Sequence, residues 1–466
     1  MGKKIKNKLR GAAALLAVIA LTALPSGCAF KSQPEKRYPL KLEIWGLFDD
    51  RDAFHEIFDS YRKSNPNILE INYRKLTADT YRRDLLEALA SGQGPDIFLI
   101  HNTWLSSFRD KIVPVSPEIL NEQKYRAEFA DVVIHDFVEQ GKIYAAPLSV
   151  DALGLFYNKD LFNQAGITEP PATWSEFVED VKLLTRIDGG GQIRQSGAAI
   201  GTAYNINRST DILNLLFLQK NTRMLDEMGR RAVFDMASGR SDGENVNNPG
   251  LEALNFYTSF AKANSAFYSW NKNMHYSIDA FSEGNLAMML NYSWQIDAIR
   301  SKAPKLNFAV APVPQLSPDS PANFANYWGY AVSKNKKAVT LPNQPPVPDE
   351  ARVAESWKFL KFLSSKPEVF SDKNGNLINT FDAAKAYAKK TNRPAARRDI
   401  IEEQKTDPKI GVFAKENLIA KNWKQADSVA IEAIFAAMID AVNRGAQTPY
   451  DALKAAAAQV TQIMGR

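Results

Sequence analysis

Short apolar segments alternate with longer amphipathic segments along this chain, and no other feature limits its fold as strongly. Near the N-terminus the pattern predicts strands at 40–45, 69–76 and 96–101. Helices are predicted between these strands at 52–64 and 78–91. Strands that are joined through helices form sheets with helices packed on their faces, so the chain is predicted to be α/β.

The same alternation continues through the middle and last parts of the chain. Residues 153–157 are strand-like, and Thr173 with Glu176 forms a capping box at the start of a helix. A second capped helix is predicted from Ser277, continuing through 287–290. Caps and apolar periodicity also predict helices at 249–263, at 351–364 and from 449 onward, and a strand at 306–310.

The N-terminal segment 1–27 has the composition of an export signal. Basic residues without acidic ones precede an apolar run at 11–24, which is too short to span a bilayer. The only cysteine of the chain, Cys28, follows directly and has no internal disulfide partner. The segment resembles a bacterial lipoprotein signal, so we interpret Cys28 as a lipidation site. An ordinary cleaved signal is the alternative, and the polar residues 28–37 are expected to form a tether.

The charge of the chain does not indicate a nucleic-acid partner. The formal net charge is +6, but residues after the predicted signal comprise 53 basic and 52 acidic side chains. A chain without a large excess of one sign lacks the electrostatic feature that attracts nucleic acid or anionic membranes. Because no later apolar run is long enough to span a bilayer, membrane attachment is expected through the lipid anchor only.

The sequence lacks the motifs of the common enzyme and metal-binding classes. It has no phosphate-binding loop, no nucleophile elbow and no dinucleotide-binding glycine pattern after a strand. The four histidines are scattered, and the one cysteine is assigned to lipid. We therefore predict no catalytic residue, no cofactor and no metal site.

Six sequence blocks occur in a characteristic order. They are GQGPDI at 92–97, GKIYAAP at 141–147, FYNKDLF at 156–162, PATWSEF at 171–177, FSEGNLAM at 281–288 and WGYAVSK at 328–334. In this order they resemble the family 1 extracellular solute-binding proteins of ABC importers, the family that includes maltose-binding protein. The resemblance extends over nearly the whole chain after the predicted tether.

The resemblance implies a periplasmic-binding-protein-like clamp with two lobes, each discontinuous in sequence. The lobes are expected at 38–147 plus 312–332 and at 148–311 plus 333–466. Crossing strands are expected to join them at 144–150 and 308–313, and solute would bind between the lobes. The family's implied partners are a small-molecule solute and the permease subunits of an importer, and the protein is expected to be a monomer outside the cytoplasm.

Sugar rings have apolar faces and a rim of hydroxyl groups, so a sugar site needs flat aromatic surfaces and planar polar side chains. Trp45 and Trp294 coincide with sugar-contacting positions of the resembled family. Loop context alone adds Trp104, Trp328 and Trp423. The expected polar contacts are Asp49, Asn102, Asp151, Tyr204 and Asn291.

Several of these candidates have a structural alternative. Any of the tryptophans could be a packing residue. Asp49 could cap the helix that is predicted to begin near Asp52. Asp151 is placed where the resembled family often has a ligand-binding acid, but it could simply pair with a lysine.

The sequence thus predicts a receptor that captures a sugar or oligosaccharide by hinge closure and delivers it to an importer. Two other classes of function stay open. The same clamp could bind a polyamine or a peptide, because acids beside aromatic rings also suit cations. The protein could also be a surface enzyme or adhesin that acts on polysaccharide.

Overall fold

The structure is a computed structural model that describes residues 38–237, 247–337, 346–368 and 381–465. The predicted signal, Cys28 and the whole predicted tether lie outside these residues. The strands are β1 (Leu40–Gly46), β2 (Ile68–Lys75), β3 (Ile97–His101), β4 (Val138–Glu139), β5 (Lys142–Ile143), β6 (Ala146–Pro147), β7 (Gly154–Asn158), β8 (Arg186–Ile187), β9 (Ile193–Ala198), β10 (Leu286–Asn291), β11 (Phe308–Ala311), β12 (Asn323–Phe324), β13 (Trp328–Val332) and β14 (Ala420–Lys421).

Helices occupy most of the remaining described chain. In the first half they are the 3₁₀ turn Arg51–Phe54 and the α-helices His55–Ser64, Ala78–Ser91, Leu105–Phe108, Glu122–Glu128, Asp131–Phe137, Lys159–Ala165, Trp174–Leu184 and Ser209–Gln219. In the second half they are Pro249–Ser259, Ser277–Ser282, Gln295–Lys302, Asp349–Ser364, Ala383–Thr391, Arg398–Gln404, Gly411–Glu416, Ser428–Asn443 and Pro449–Met464.

The first large sheet has the strand order β2-β1-β3-β13-β6. Strand β1 is parallel to β2 and β3, as expected for strands joined through helices, whereas β13 is antiparallel to β3 and β6. Strand β1 alternates buried and more exposed residues, and the side chains of Leu40, Leu42 and Ile44 enter the core. The strands and helices predicted from the N-terminal alternation are confirmed here to within two residues, except that a 3₁₀ turn opens the first helix.

The second sheet has the order β11-β7-β10-β9-β8, and its central strand corrects one prediction. We predicted that the helix from Ser277 would continue through 287–290, but it ends at Ser282 and Leu286–Asn291 is β10. Every residue of β10 is buried. A strand that is covered on both faces shows a continuous apolar run, and periodicity cannot distinguish such a run from a buried helix.

Local capping signals predicted helix starts accurately. The hydroxyl of Thr173 accepts a hydrogen bond from the backbone N–H of Glu176, and the Glu176 carboxylate accepts one from the backbone N–H of Thr173. Asn248 caps Pro249–Ser259, and Thr448 caps the last helix. Such caps satisfy the free N–H groups of a first helical turn, so the signal depends on few residues.

Two hydrophobic cores define two lobes, and their membership corrects the predicted boundaries. We expected all of 333–466 in the second lobe, but helix Asp349–Ser364 and the helices from 383 to 404 pack into the first core. Trp357 is buried there and donates its indole N–H to the backbone carbonyl of Val113 at 2.9 Å. This helix packs on the first sheet, against β13 and against β6, a strand about 200 positions earlier in the sequence.

The chain crosses between the cores at three places in the described residues. The first crossing is at Ala152/Leu153, directly after the predicted crossing segment 144–150, and the second is at Phe324/Ala325. The third lies between Ile401 in the first core and Trp423 in the second. The predicted crossing at 308–313 is wrong, because this segment forms β11 at the edge of the second sheet.

Amide side chains connect the three crossings. The Asn323 amide donates to the backbone carbonyl of Leu153 at 2.7 Å and to a carboxylate oxygen of Glu416 at 2.5 Å. The Asn417 amide donates to the backbone carbonyl of Val150 at 2.7 Å. Strands β12 and β14 also pair with each other. We refer to these contacts as the hinge network.

The hinge network predicts a pH dependence of stability. Burial raises the pKa of the Glu416 carboxyl from 4.5 to about 7. The folded protein therefore keeps this carboxyl protonated to a higher pH than the unfolded chain does. Protonation stabilises the folded state fully below about pH 4.5, and this stabilisation is lost as the pH rises through 7. Glu416→Gln should make the protein more stable than the wild type at pH 8, by about 1–3 kcal/mol, with a smaller gain at pH 4.

Urea unfolding at the two pH values measures this effect. Glu56→Gln, on an exposed helical surface, is the matched control and should follow the wild type at both. An equal shift for Glu416→Gln at pH 4 and pH 8 would contradict the assignment.

Candidate functional site

A cavity of about 680 Å³ lies between the two lobes. Its volume is within the range of about 300–1,000 Å³ that is usual for small-molecule sites. Side chains of both cores and of the crossing segments line it. The carboxyl ends of β1, β3 and β10 lead to it, as expected for ligand sites of open α/β sheets.

The first-lobe wall is aromatic. The rings of Trp104 and Trp328 meet edge to face with centroids 4.9 Å apart, and the Phe48 ring lies 5.6 Å from Trp328. Trp104 is buried, whereas Phe48 is 42% exposed. Phe48 therefore presents apolar surface to the cavity, and the two indoles behind it form a rigid support.

The second-lobe wall presents one large indole face. Trp294 follows β10, and its ring stacks on that of Tyr292 with centroids 4.7 Å apart and an angle of 22° between the planes. Tyr292 is fully buried, but Trp294 is 39% exposed. The buried tyrosine holds the indole in place and leaves surface of Trp294 open to the cavity.

The two predicted acids of the cavity are held by different partners. Asp49 accepts from the guanidinium of Arg393 at 2.9 Å and from the hydroxyl of Tyr387 at 2.7 Å. Asp151 accepts from the backbone N–H and from the hydroxyl of Ser293. Burial raises the pKa of Asp151 to about 7. The hydrogen bonds of the described residues do not show the helix cap proposed for Asp49 or the lysine pair proposed for Asp151.

Half of the predicted site residues line the cavity: Asp49, Trp104, Asp151, Trp294 and Trp328. The other half do not, and each has a different environment. Trp45 is half-buried against the first core, with the guanidinium of Arg74 5.3 Å from its ring centroid. Tyr204 is 69% exposed and lies outside the cavity lining.

Three of the predicted contacts are packing residues. The Asn102 amide donates to Asp136 at 3.0 Å inside the first lobe. Asn291 is fully buried and donates to Asn207 at 3.0 Å. Trp423 is part of the second core and donates its indole N–H to Asn214 at 2.8 Å. Asn291 ends β10, and Asn102 and Trp423 come shortly after β3 and β14, but none of the three lines the cavity.

Sequence reasoning missed most of the polar lining. His101 ends β3, contacts Thr103 Oγ1 at 2.7 Å and Asn326 Oδ1 at 3.2 Å, and has a pKa lowered to about 4 by burial. It is therefore neutral at physiological pH. Its position at the end of a predicted strand could have identified it as a candidate site residue. The other missed polar residues of the lining include Arg208, Asp211, Asn326, Arg393 and Glu432.

The described residues contain no group of three or more His, Cys, Asp or Glu side chains close enough to hold a metal ion. Within the same ranges, every helix is too short or too polar to span a membrane. The arrangement offers stacking surfaces, hydrogen-bond donors and hydrogen-bond acceptors, which suit reversible binding.

Residues 46–369 match the family described as "Bacterial extracellular solute-binding protein". The chain belongs to this family. Its membership confirms the resemblance that the sequence blocks indicated and implies a location outside the cytoplasm.

The chain is similar to binding proteins from several organisms. A Brucella abortus protein is 24% identical over 67% of this chain and 68% of its own length. The maltotriose-binding protein of Pyrococcus abyssi is 21% identical over 71% of this chain and 63% of its own. The cyclic α-maltosyl-1,6-maltose-binding protein of Arthrobacter globiformis superposes with a TM-score of 0.70 at 19% identity, covering 92% and 99% of the two chains.

The sugar-binding protein MalE of Xanthomonas citri also superposes with a TM-score of 0.70, at 19% identity, covering 91% of this chain and 97% of its own. At this identity the structural likeness demonstrates a shared fold. The predicted α/β fold with two lobes is therefore confirmed.

Proposed function

We propose that this protein captures an oligosaccharide between its lobes and delivers it to the permease subunits of an ABC importer. The observation that carries the proposal is the placement of exposed aromatic surface, Phe48 and Trp294, on opposite walls of one cavity. Sugar rings stack on such faces through their apolar C–H surfaces. Walls on separate lobes can close on a guest from both sides.

The polar lining complements a ring of hydroxyl groups. Asp151, Asp211 and Glu432 can accept hydrogen bonds, whereas Arg393 and Asn326 can donate them. Hydroxyl groups both donate and accept, so a neutral sugar can use both kinds of partner. The volume of about 680 Å³ provides room for a disaccharide or a short oligosaccharide.

Relatives with the same fold support this class of solute. One is named as a maltotriose-binding protein and another as a maltodextrin-binding protein. Solved structures of the same fold hold maltotetraose, mannobiose or mannotriose. These names describe those proteins, and they favour a sugar for this chain without selecting one.

Closure would link binding to delivery. A micromolar affinity corresponds to about −8 kcal/mol, which stacked rings and several hydrogen bonds can supply after ordering costs. Because each lobe has its own core, rotation at the three crossings changes the cavity without disrupting either core. An importer can then recognise the occupied state because only that state brings both lobes together.

A cationic solute, such as a polyamine, is the second candidate. Asp151 and Asp211 have pKa values raised by burial, and Glu432 lies near Asp211. A cation would relieve this clustering of acids and could stack on Trp294. The family and its solved neighbours are binding proteins, which supports a receptor over an enzyme.

Trp294→Ala should weaken the binding of oligosaccharides at least tenfold, because it removes the exposed indole face of the second lobe. The melting temperature should change little, since Trp294 is already 39% exposed. Titration calorimetry with a panel of neutral sugars that includes maltotriose and mannotriose, and with spermidine as the cationic probe, measures the effect.

Trp45→Ala is the matched control, because that indole lies outside the cavity lining. It should leave the affinity of the tightest sugar near that of the wild type. Equal affinities for the wild type and Trp294→Ala would reject the stacking role. Binding of spermidine alone would favour the second candidate.

We also propose that the protein is anchored to the membrane by a lipid on Cys28. The support is the composition of the leader and the absence of any other cysteine in the chain. A lipid chain adds membrane affinity through buried CH₂ groups, whereas the rest of the protein stays outside the membrane. Cys28→Ser should move the protein from the membrane fraction to the soluble fraction of its host cell, and continued membrane attachment would exclude this anchor.

A further inference from the structure

Arg208 has an unusual backbone conformation at the edge of the cavity. Its φ is 64° and its ψ is 27°, in the left-handed region, and it precedes helix Ser209–Gln219 without capping it through its side chain. Side chains other than glycine occupy this region at a cost of about 1–3 kcal/mol. Asparagine tolerates it better than arginine does. The position therefore carries arginine although the backbone favours a different residue.

The guanidinium lies beside the aromatic stack of the second lobe. Its central carbon is 5.4 Å from the ring centroid of Trp294 and 5.8 Å from that of Tyr292. The two centroids are themselves 4.7 Å apart. Because the guanidinium is almost equally distant from the two stacked rings, it lies beside the pair. It does not cover the face of Trp294 that is turned away from Tyr292. A sugar ring stacked on that face would lie in the same cavity that the Arg208 side chain lines.

In the part of the chain that the structure describes, the donors of Arg208 form no hydrogen bond. Its Nε is buried without a hydrogen-bond partner, and among the described residues the guanidinium makes no ion pair and donates no hydrogen bond. The other cavity arginine, Arg393, contrasts with it, because its guanidinium is 2.9 Å from Asp49. Arginine offers several donors in a planar fork, so free donors beside a stacking face suit a ligand with neighbouring acceptor oxygens.

We propose that Arg208 determines specificity by donating hydrogen bonds to neighbouring rim hydroxyl oxygens of a neutral sugar ring that stacks on Trp294. This inference rests on the proposed function and adds the residue that would recognise the hydroxyl groups of the ring. The strained backbone of Arg208 holds its guanidinium beside the indole, 5.4 Å from the ring centroid of Trp294.

The acids around Arg208 select against an acidic sugar. Asp151, Asp211 and Glu432 line the same cavity, and Asp211 and Glu432 interact electrostatically with the guanidinium. Arg208 thus interacts with two of these three carboxyl groups. A uronic acid ring would bring a further carboxylate among them, whereas a neutral ring adds no like charge.

Arg208→Asn provides a test that separates strain from binding. Asparagine fits the left-handed backbone, so the melting temperature should stay the same or rise. Its short amide cannot replace the guanidinium fork, so the affinity for neutral trisaccharides such as maltotriose and mannotriose should fall at least tenfold. Arg208→Lys, which keeps the charge but loses the fork, should also weaken binding. Titration calorimetry and thermal unfolding give the two readouts.

Gln140→Asn is the matched control, because Gln140 has a similar φ of 52° and lies outside the cavity lining. It should not change sugar affinity. Two results would overturn the inference alone: neutral sugars bind Arg208→Asn as tightly as the wild type, or trigalacturonate binds the wild type more tightly than the neutral trisaccharides. If no neutral sugar of a broad panel binds the wild type, the proposed function fails and this inference fails with it.

Discussion

The hinge network is the set of contacts on which the rest of the structure depends. At the first crossing the chain buries the backbone carbonyls of Val150 and Leu153, and such groups need hydrogen-bond partners. Asn323 and Asn417 provide them by donating to the carbonyls of Leu153 and Val150. Since these contacts lie at the crossings, each lobe can keep its own core intact while the angle between the lobes changes.

The two-lobed arrangement determines which side chains line the cavity. Each lobe contributes one aromatic wall, so neither wall alone encloses a guest. Two pairs of charged side chains at the cavity balance each other, Arg393 with Asp49 and Lys409 with Asp297. Because these four side chains already pair with each other, a solute would bind mainly through stacking and through hydrogen bonds to its hydroxyl groups. Such binding suits a neutral solute.

The sequence predicted local features well and long-range features poorly. The capping box at Thr173 involves four consecutive residues, and the predicted strand β1 shows its burial in its own alternation. Strand β10 could not be recognised because complete burial removes the alternation. Helix Asp349–Ser364 was assigned to the wrong lobe because nothing in its own sequence indicates which sheet covers its apolar face.

The candidate site shows the same limit. Trp294 was found through the resemblance, and it lines the cavity, but Trp45 was found in the same way and does not. Arg393 could not be found, because it meets Asp49 across 344 positions of the chain. Arg208 could not be predicted either, because its unusual feature is a positive backbone φ, which the sequence does not reveal. Side-chain direction and distant pairing, which depend on the whole fold, account for these failures.

We propose that the two lobes close on a neutral sugar. Closure can be measured by small-angle X-ray scattering of the protein, with and without a saturating oligosaccharide identified by the calorimetric panel. We expect a smaller radius of gyration in the presence of the sugar and no change with a sugar that does not bind. Identical scattering curves with the bound sugar would contradict closure.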